Sequence, residues 1–161
     1  PSCGLYFLAA CAEEKQGELL ERLVRALGTG GIGGKVSAGY GTFVVDDVIL
    51  LNEPFDAQTD WLYTALTMQS PKHYLLLTTS LPTDGELEDV LDGAYYQLAR
   101  RGGYVQSNTF SSTPQRKRTQ YFLAAGATLA RTFAGALYNV ADAGAHPVYR
   151  YAKPMMLGVS F

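Results

Sequence analysis

The sequence predicts an α+β fold, an antiparallel sheet with helices packed on one face. Short apolar runs bounded by glycine, proline or other turn-forming residues are typical of strands, and they recur along most of the chain. Two helical patterns interrupt these runs without the strict strand–helix alternation that indicates a parallel sheet. The 161 residues, 47% of them hydrophobic, suffice for one domain or two small ones with a real core.

The N-terminal third predicts a strand, a helix and two further strands. Residues 4–10 begin with a glycine and are otherwise apolar, so we expect a buried strand there. Residues 13–27 place apolar side chains at helical spacing, and Gly28 is a suitable left-handed stop. After a glycine-rich stretch, the runs 42–45 and 48–51 predict strands.

The remainder contains an irregular segment and a strand-rich region. Residues 52–72 hold two prolines and several turn formers, which predicts an insertion or linker. Residues 73–80 give the strongest strand pattern, and a short acidic helix ending near residue 91 is expected after it. Further strands are expected at 95–101, 119–125, 127–137 and 146–159, with breaks at Gly126 and Gly135 and a hairpin-like segment at 104–113. The predicted organisation is therefore part of a first domain at 1–51, a linker at 52–72 and a second domain at 73–161.

A glycine-rich loop lies between the first helix and the strands that follow it. Six of the twelve residues from 30 to 41 are glycine, although ordering glycine costs more backbone entropy than ordering any other residue. Successive free N–H groups in such a loop can form a concave nest that suits phosphate oxygens. Lys35 adds a cation, Ser37 a hydroxyl and Tyr40 a ring able to stack on a base. The loop therefore predicts an RNA cradle rather than a flexible connector, formed by Gly30, Gly31, Ile32, Gly33, Gly34, Lys35, Ser37, Gly39 and Tyr40.

Two better-known glycine loops do not fit this stretch. A Walker A loop would need glycine where Thr29 stands, and a hydroxyl where Val36 follows the lysine. A G-x-G-x-x-G string does run from Gly28 to Gly33. In a dinucleotide-binding fold that string follows a strand and opens a helix, whereas here it closes a helix and opens a strand. Both nucleotide-binding motifs are therefore disfavoured.

The net charge of −2 conceals a strong asymmetry along the chain. Residues 1–92 hold 5 basic and 14 acidic side chains, whereas residues 93–161 hold 8 basic side chains and a single acid, Asp142. A half with this excess of cations is typical of a surface that binds a polyanion. The cluster Arg116, Lys117 and Arg118 is the most concentrated part of it and predicts phosphate contacts.

Few residues suit catalysis or metal binding. Cys3 and Cys11 form no C-x-x-C pair and have no histidine nearby, which favours two reduced, partly buried thiols over a metal site or disulfide. Only two histidines occur, His73 and His146, and no cluster of acids accompanies them. We therefore expect no catalytic residue, no metal and no cofactor. No apolar run reaches the roughly 18 residues that span a bilayer, so no membrane role is expected.

Four stretches, taken together, resemble a known family. The helix, glycine loop and strand are similar to those of the RAMP superfamily of CRISPR-associated proteins, which has a glycine-rich loop after the second helix of a ferredoxin-like domain. The strings that narrow the resemblance are 31–35, 100–105, 117–122 and 146–151. In this order they resemble the fourth subunit of the type III-A (Csm) CRISPR interference complex.

The resemblance implies a ferredoxin-like (RRM-like) RAMP fold and places this chain in the C-terminal half of a subunit about twice as long. The start at Pro1, without methionine, is typical of a fragment or a processed end. The resemblance also implies a non-catalytic protein of the prokaryotic cytoplasm that caps the 5′ tag of the guide RNA. Its partners would be the large polymerase-like subunit and the backbone RAMP subunit. Three residues of the last string join the RNA-binding candidates, namely His146, Tyr149 and Arg150.

Two other functions remain open on the sequence alone. A metal-independent RAMP endoribonuclease that processes repeat RNA would use a histidine as general acid or base, and only His73 and His146 are available. A generic ferredoxin-like interaction module would explain the fold but not the charge asymmetry. Binding of guide RNA without catalysis accounts for both the glycine loop and the basic half.

Overall fold

The computed structural model describes residues 4–53, 55–105, 107 and 109–160. The chain forms two compact units, Pro1–Leu50 and Leu51–Phe161. The predicted α+β class with antiparallel strand pairing is confirmed in the described residues. The first unit holds α1 (Glu14–Gly30) and a 3₁₀ turn (Val36–Ala38). The second holds α2 (Ala57–Thr67), β1 (His73–Leu76), α3 (Leu87–Leu91), β2 (Leu98–Arg101), β3 (Gln120–Leu123), β4 (Thr128–Leu129), β5 (Leu137–Asn139), β6 (Tyr149–Tyr151) and β7 (Met156–Val159). The division into parts at 1–51, 52–72 and 73–161 stays a prediction.

The first helix is confirmed, but it ends later than its sequence predicts. Gly31, not Gly28, is the left-handed residue after the helix, with φ of 82°, and its N–H donates to the Leu27 carbonyl at 2.7 Å. Gly28 lies inside the helix and is buried. A β-carbon on Gly28 would meet the carbonyl oxygen of Phe43, so glycine is required there for close packing rather than for a turn.

The strands predicted at 4–10, 42–45 and 48–51 are wrong. No strand is assigned between residues 4 and 50, and the side chains of Leu5 and Tyr6 are almost fully exposed. Phe43 instead donates its N–H to the Gly28 carbonyl at the end of α1. Apolar composition predicted these strands, but a strand forms only where a neighbouring backbone completes the ladder. Cys11, expected to be partly buried, is exposed, and Cys3 lies outside the described residues.

The segment 52–72, expected to be irregular, contains the helix α2. Asp56 caps it by accepting hydrogen bonds from the backbone N–H groups of Gln58 (2.9 Å) and Thr59 (2.7 Å), and the Thr59 hydroxyl bonds back to the cap residue. This capping box satisfies N–H groups that the first turn of a helix leaves free. The helix packs against β7, with Ala65 buried. The prolines suggested a linker, although neither lies within the helix.

A three-stranded antiparallel sheet forms the core of the second unit, with β1 between β4 and β7. The strand predicted at 73–80 is confirmed for its first four residues, and Leu76 pairs with Met156 of β7. The acidic helix predicted before residue 91 is also confirmed, as α3. The side chains packed together between these elements are Leu76, Val90, Leu123, Ala127, Leu129 and Phe133.

Two further antiparallel pairs, β2 with β3 and β5 with β6, complete the strands of the second unit. The predicted strands at 95–101 and 119–125 are confirmed in part as β2 and β3. The break expected at Gly135 within 127–137 separates β4 from β5, and the single strand predicted at 146–159 is divided into β6 and β7. β4 ends shortly before Gly135, whose φ of 58° places it in the left-handed region, and β6 ends three residues before Pro154. A proline cannot donate to a ladder, so the break before β7 follows from the sequence.

Glu86 fixes the turn that leads into α3. Its carboxylate accepts hydrogen bonds from the backbone N–H of Ala134 (2.7 Å), from the N–H of Thr83 (2.8 Å) and from the Thr83 hydroxyl (2.7 Å). These bonds join the start of α3 to the segment before β5. The Ala134 N–H, followed by that of Thr83, lowers the pKa of Glu86 below its ordinary value of 4.5, because both donors favour the charged form.

Replacing Glu86 with glutamine is expected to reduce the free energy of unfolding at neutral pH by about 1 kcal/mol. Both carboxylate oxygens accept hydrogen bonds, and glutamine replaces one of them with an NH₂ group, which cannot accept from the same N–H and O–H groups. The folded-state pKa is depressed, so the carboxylate stabilises the fold above pH 4.5 and loses this effect as the pH falls through the folded value. Urea unfolding of wild type and E86Q should therefore differ near pH 7 and converge toward pH ~2.

Glu88→Gln is the matched control, because that carboxylate lies two residues away and makes no side-chain hydrogen bond within the described residues. A wild-type stability for E86Q at neutral pH would show that solvent replaces these hydrogen bonds at no cost.

Candidate RNA-binding surfaces

The glycine-rich loop of the first unit is closed by backbone hydrogen bonds. The N–H of Ile32 donates to the Gly41 carbonyl at 2.9 Å, and the N–H of Phe43 donates to the Gly28 carbonyl at 3.1 Å. Within the inner of these two links, from Ile32 to Gly41, the chain makes the 3₁₀ turn Val36–Ala38. The loop therefore has a defined path rather than that of an open connector.

Two of its glycines permit this closure. Gly31 and Gly41 have φ of 82° and 84°. A β-carbon on Gly31 would come within 3.1 Å of the Tyr40 carbonyl, and one on Gly41 would meet the carbonyl of Ile32. Both positions therefore need glycine for backbone conformation and for the close approach of the two ends of the loop. Gly39, in the left-handed conformation, ends the 3₁₀ turn in the same way.

The tip of the loop has a different character. Gly33 has φ of 103°, yet β-carbons on Gly33 or Gly34 would meet no heavy atom within 4 Å. The consecutive N–H groups of Gly33, Gly34 and Lys35 donate to no acceptor among the described residues. Free consecutive amides beside open space are what a phosphate oxygen requires.

The other candidate residues of the loop are exposed. Tyr40 is 67% exposed and Ile32 is 55% exposed, and Gly30, Lys35 and Ser37 also face solvent. The Lys35 ammonium makes no ion pair with the described residues. Eight of the nine residues selected from the sequence thus lie on one closed loop, with amides, a cation and a ring all accessible, whereas Gly30 is the last residue of α1.

The basic candidates of the second unit lie on and beyond the β2–β3 pair. Arg100 stands opposite Tyr121 in the ladder, and both side chains are exposed. Beyond the strands the pairing continues, because Lys117 donates its N–H to the Gly103 carbonyl at 2.8 Å and Tyr104 forms a bridge with Arg116. The ribbon formed by residues 98–105 and 115–123 thus presents cations and tyrosine rings along its length. The hairpin expected at 104–113 lies only partly within the described residues.

The three basic side chains of the cluster differ in whether their donors already have partners within the protein. Arg118 pairs with Asp142 at 3.1 Å and donates from Nη2 to the Asn139 carbonyl at 2.6 Å. Arg116 and Lys117, by contrast, make no side-chain hydrogen bond or ion pair with the described residues. The predicted cluster is therefore unequal, with two members available to a ligand and one engaged by the only acid of this half.

Arg150 is also engaged. Its guanidinium donates to the carbonyls of Arg101 (3.1 Å) and Gly102 (3.4 Å) and to Gln120 Oε1 (3.4 Å), and it lies 6.0 Å from the centre of the Phe122 ring. These contacts anchor β6 to the end of β2. Tyr149, the preceding residue, stands on the opposite side of β6 and is 64% exposed.

His146 and Lys117 line the same open groove, of about 510 Å³. Residues 103–105 and Ser107 line it on one side, and residues 146–148 line it from the segment before β6. The Nδ1 atom of His146 lies 2.9 Å from the Pro147 carbonyl oxygen, and its ring packs edge-on against Phe110 at 5.2 Å between centroids. The structure thus brings together two candidates that are 29 positions apart in the sequence.

Sequence reasoning missed the residues that hold His146 in place. Phe110 is buried and accepts the N–H of Ala145 at 3.0 Å, and a β-carbon on Gly144 would meet the Phe110 ring. The signal available was Phe110, the single apolar residue in the otherwise polar sequence 106–113. Among the described residues no group of three metal-ligating side chains comes together. No helix in the same ranges has the length and hydropathy to cross a membrane.

Comparison with known proteins identifies relatives over nearly the whole chain. The family model for the CRISPR Csm4 C-terminal domain matches residues 69–159. The CRISPR system Cms protein Csm4 of Mycobacterium tuberculosis (strain CDC 1551 / Oshkosh) is 40% identical over 156 residues, covering 97% of this chain and 47% of the relative. The protein of the same name from Streptococcus thermophilus is 33% identical over 141 residues, covering 87% of this chain and 44% of the relative. The chain thus spans about half the length of the curated relatives it matches.

A solved structure shares the fold. It is described as the crystal structure of the Csm3–Csm4 subcomplex in the type III-A CRISPR-Cas interference complex, and it matches with a TM-score of 0.57 at 20% identity. The match covers 93% of this chain and 41% of that chain. The predicted RAMP fold class is thereby confirmed.

Replacing Arg116, Lys117 and Arg118 together with alanine is expected to flatten the salt dependence of single-stranded RNA binding. Each phosphate contact releases counterions, so each lost contact should reduce the slope of log K against log salt concentration by about 0.7. Most of the change should come from the double variant of Arg116 and Lys117, since Arg118 is paired with Asp142. Fluorescence anisotropy with a labelled RNA across a salt series measures the slope. Lys72→Ala is the control, and an unchanged slope in the triple variant would assign the cluster to a solvated face.

Proposed function

The chain belongs to the Csm4 family of CRISPR proteins and corresponds to its C-terminal half, and we propose that it is a non-catalytic, RNA-binding part of a type III-A CRISPR effector complex. In this role it caps the 5′ tag of the guide RNA. It also joins the large polymerase-like subunit to the backbone RAMP subunit, in the cytoplasm of a prokaryotic cell. The related structure pairs Csm4 with Csm3, which supports a backbone subunit as one partner.

The observation that best supports RNA binding is the tip of the glycine loop. Three consecutive backbone N–H groups, those of Gly33, Gly34 and Lys35, have no acceptor among the described residues. The tip has no side chain that would block a phosphate, because β-carbons at its glycines would meet only open space. Tyr40, on the same loop, offers an exposed ring on which a base can stack.

The second unit supports the same function through its charge. Its ribbon carries Arg100, Arg116 and Lys117 with no internal partner in the described part of the chain, and Tyr104 and Tyr121 lie beside them. Single-stranded RNA is bound by cations along its backbone and by aromatic rings under its bases. An exposed row of both kinds of side chain is suited to a flexible single strand.

Gly33→Val is expected to abolish retention of guide RNA, whereas Lys35→Ala should only reduce it. Valine at a positive φ strains the loop by about 1–2 kcal/mol and blocks approach to the neighbouring amides. Loss of the exposed lysine removes one charge worth about 1 kcal/mol or less. The measurement is the amount of guide RNA co-purifying with each variant, with thermal melting unchanged within a few degrees.

Gly85→Val is the matched control, because a β-carbon there also meets open space but the residue lacks a positive φ and lies outside the loop. Gly31→Val is a less informative variant, since its side chain would clash with the loop backbone itself. A dominant effect of Lys35 with a tolerant Gly33 would show that the loop supplies one cation and no backbone cradle.

The non-catalytic assignment is tested by incubating the protein with repeat RNA in the absence of divalent metal ions. We expect only background cleavage, equal for wild type, His73→Ala and His146→Ala, because neither histidine has a role in proton transfer. Gel analysis of end-labelled RNA measures it. Cleavage by the wild type that disappears in His146→Ala would identify an endoribonuclease instead.

A further inference from the structure

The groove lined by Lys117 and His146 has the dimensions of a ligand site. Its volume of about 510 Å³ lies within the range of about 300–1,000 Å³ typical of small-molecule pockets. One wall comes from residues 103–105, Ser107 and Lys117, and the other from residues 146–148. All of these residues belong to the second unit.

The charge in the groove is uncompensated. Lys117 is partly buried, and its ammonium group has no acceptor among the described residues. None of the described residues that line the groove is acidic. A partly desolvated cation without a counterion favours an anionic ligand, and its three donors suit phosphate oxygens.

The hydrogen-bonding role of His146 can be assigned from its neighbour. A carbonyl oxygen can only accept, so the contact between Nδ1 and the Pro147 carbonyl requires the proton to reside on Nδ1. In the neutral imidazole, Nε2 is then a lone-pair acceptor. The edge-on contact with Phe110 restrains the ring. His146 therefore offers an acceptor to a donor group on the ligand, while Lys117 offers donors to an anion.

Tyr104 completes the set. It lines the same groove and is 58% exposed, so more than half of the residue is accessible to a ligand. A ligand that combines a planar ring, a phosphate and a hydrogen-bond donor matches these three side chains, and a nucleotide is such a ligand. An acidic peptide could pair with Lys117, but its carboxylate side chains have no planar ring to stack on Tyr104.

We propose that this groove binds one nucleotide of a single-stranded RNA, with its base on Tyr104, a phosphate at Lys117 and a donor group on His146. This proposal rests on the proposed RNA-binding function and adds a specific site to it. The group that donates a hydrogen bond to His146 is either the ribose 2′-hydroxyl or an exocyclic amine of the base, since both carry a hydrogen that a lone pair can accept.

The test uses the full chain and a fluorescein-labelled, single-stranded RNA that contains the repeat-derived tag. Its nucleotides are replaced one at a time, first by abasic and then by 2′-deoxy residues. Dissociation constants are measured for wild type, Lys117→Ala and His146→Ala. Lys153→Ala is the control, an exposed lysine of the same unit that does not line the groove.

We expect each groove variant to weaken binding of the intact RNA about five- to tenfold, and Lys153→Ala to weaken it less than twofold. At a single position, either the abasic or the 2′-deoxy change should weaken wild-type binding and cost less in His146→Ala, because that variant has already lost the hydrogen bond concerned. Coupling to the 2′-deoxy change means that His146 accepts from the ribose hydroxyl. Coupling to the abasic change means that it accepts from a base amine, and the loss that remains in His146→Ala is then the stacking on Tyr104.

Effects that add independently at every RNA position would overturn the proposal. So would wild-type affinity in both groove variants, and if Gly33→Val still abolished binding, the proposed function would stand without this site. If the wild type itself bound no RNA, the proposed function would fail first. Displacement of RNA by a polyglutamate peptide without coupling at any nucleotide would assign the groove to a protein partner and would also exclude the proposal.

Discussion

The second unit depends on the backbone pairing of the short segment that follows β1. Ser80 is fully buried and exchanges two hydrogen bonds with Leu123 at the end of β3, of 3.1 and 2.9 Å. Its hydroxyl donates to the Lys153 carbonyl, and Leu81 donates its N–H to Ala152. The Thr78 hydroxyl accepts the N–H of Met155. Residues 78–81 thus connect the sheet of β1 to β3 and to the segment between β6 and β7. Because the three short sheets are linked in this way, none of them has to be stable by itself.

This framework explains why the candidate surface of that unit lies at one edge of its strands. Ser80 fixes β3, and the ladder places β2 beside it, so that cations on the ribbon project from a supported backbone. Arg150 then bonds the carbonyls at the end of β2. An arginine whose donors are satisfied by neutral carbonyls keeps its full charge, so it contributes a positive field without itself needing to touch a ligand.

How far the sequence could predict this fold depends on the range of the interaction. The helix α1, the strand at β1 and the short helix α3 follow from local patterns, and the class of fold follows from them. The helix α2 differs from the prediction because the flanking prolines of segment 52–72 suggested a linker, whereas the capping pair Asp56 and Thr59 starts a helix there. The N-terminal strands were predicted from apolar residues alone, although a ladder needs a partner that composition does not specify.

The same difference between local and long-range interactions explains why the sequence predicts the glycine loop but not the groove. The glycines marked the loop because positive φ and close approach are local demands. That Lys117 and His146 line one groove could not be predicted from the sequence. Their proximity results from pairing between distant segments and from packing of Phe110 against Gly144. Arg116 and Arg118 look equivalent in the sequence, and the positions of Asp142 and of the Asn139 carbonyl distinguish them.

The closed form of the glycine loop has a consequence for the thermodynamics of any ligand it meets. Fixing a flexible backbone costs about 1–2 kcal/mol per residue, and glycine loses the most freedom. The bonds from Ile32 to Gly41 and from Phe43 to Gly28 set the path of the loop in the free protein, so much of that entropy is lost during folding. A ligand then meets an organised set of amides, and its affinity reflects contacts more than the ordering of a chain. The glycines thus shift a cost from recognition to stability.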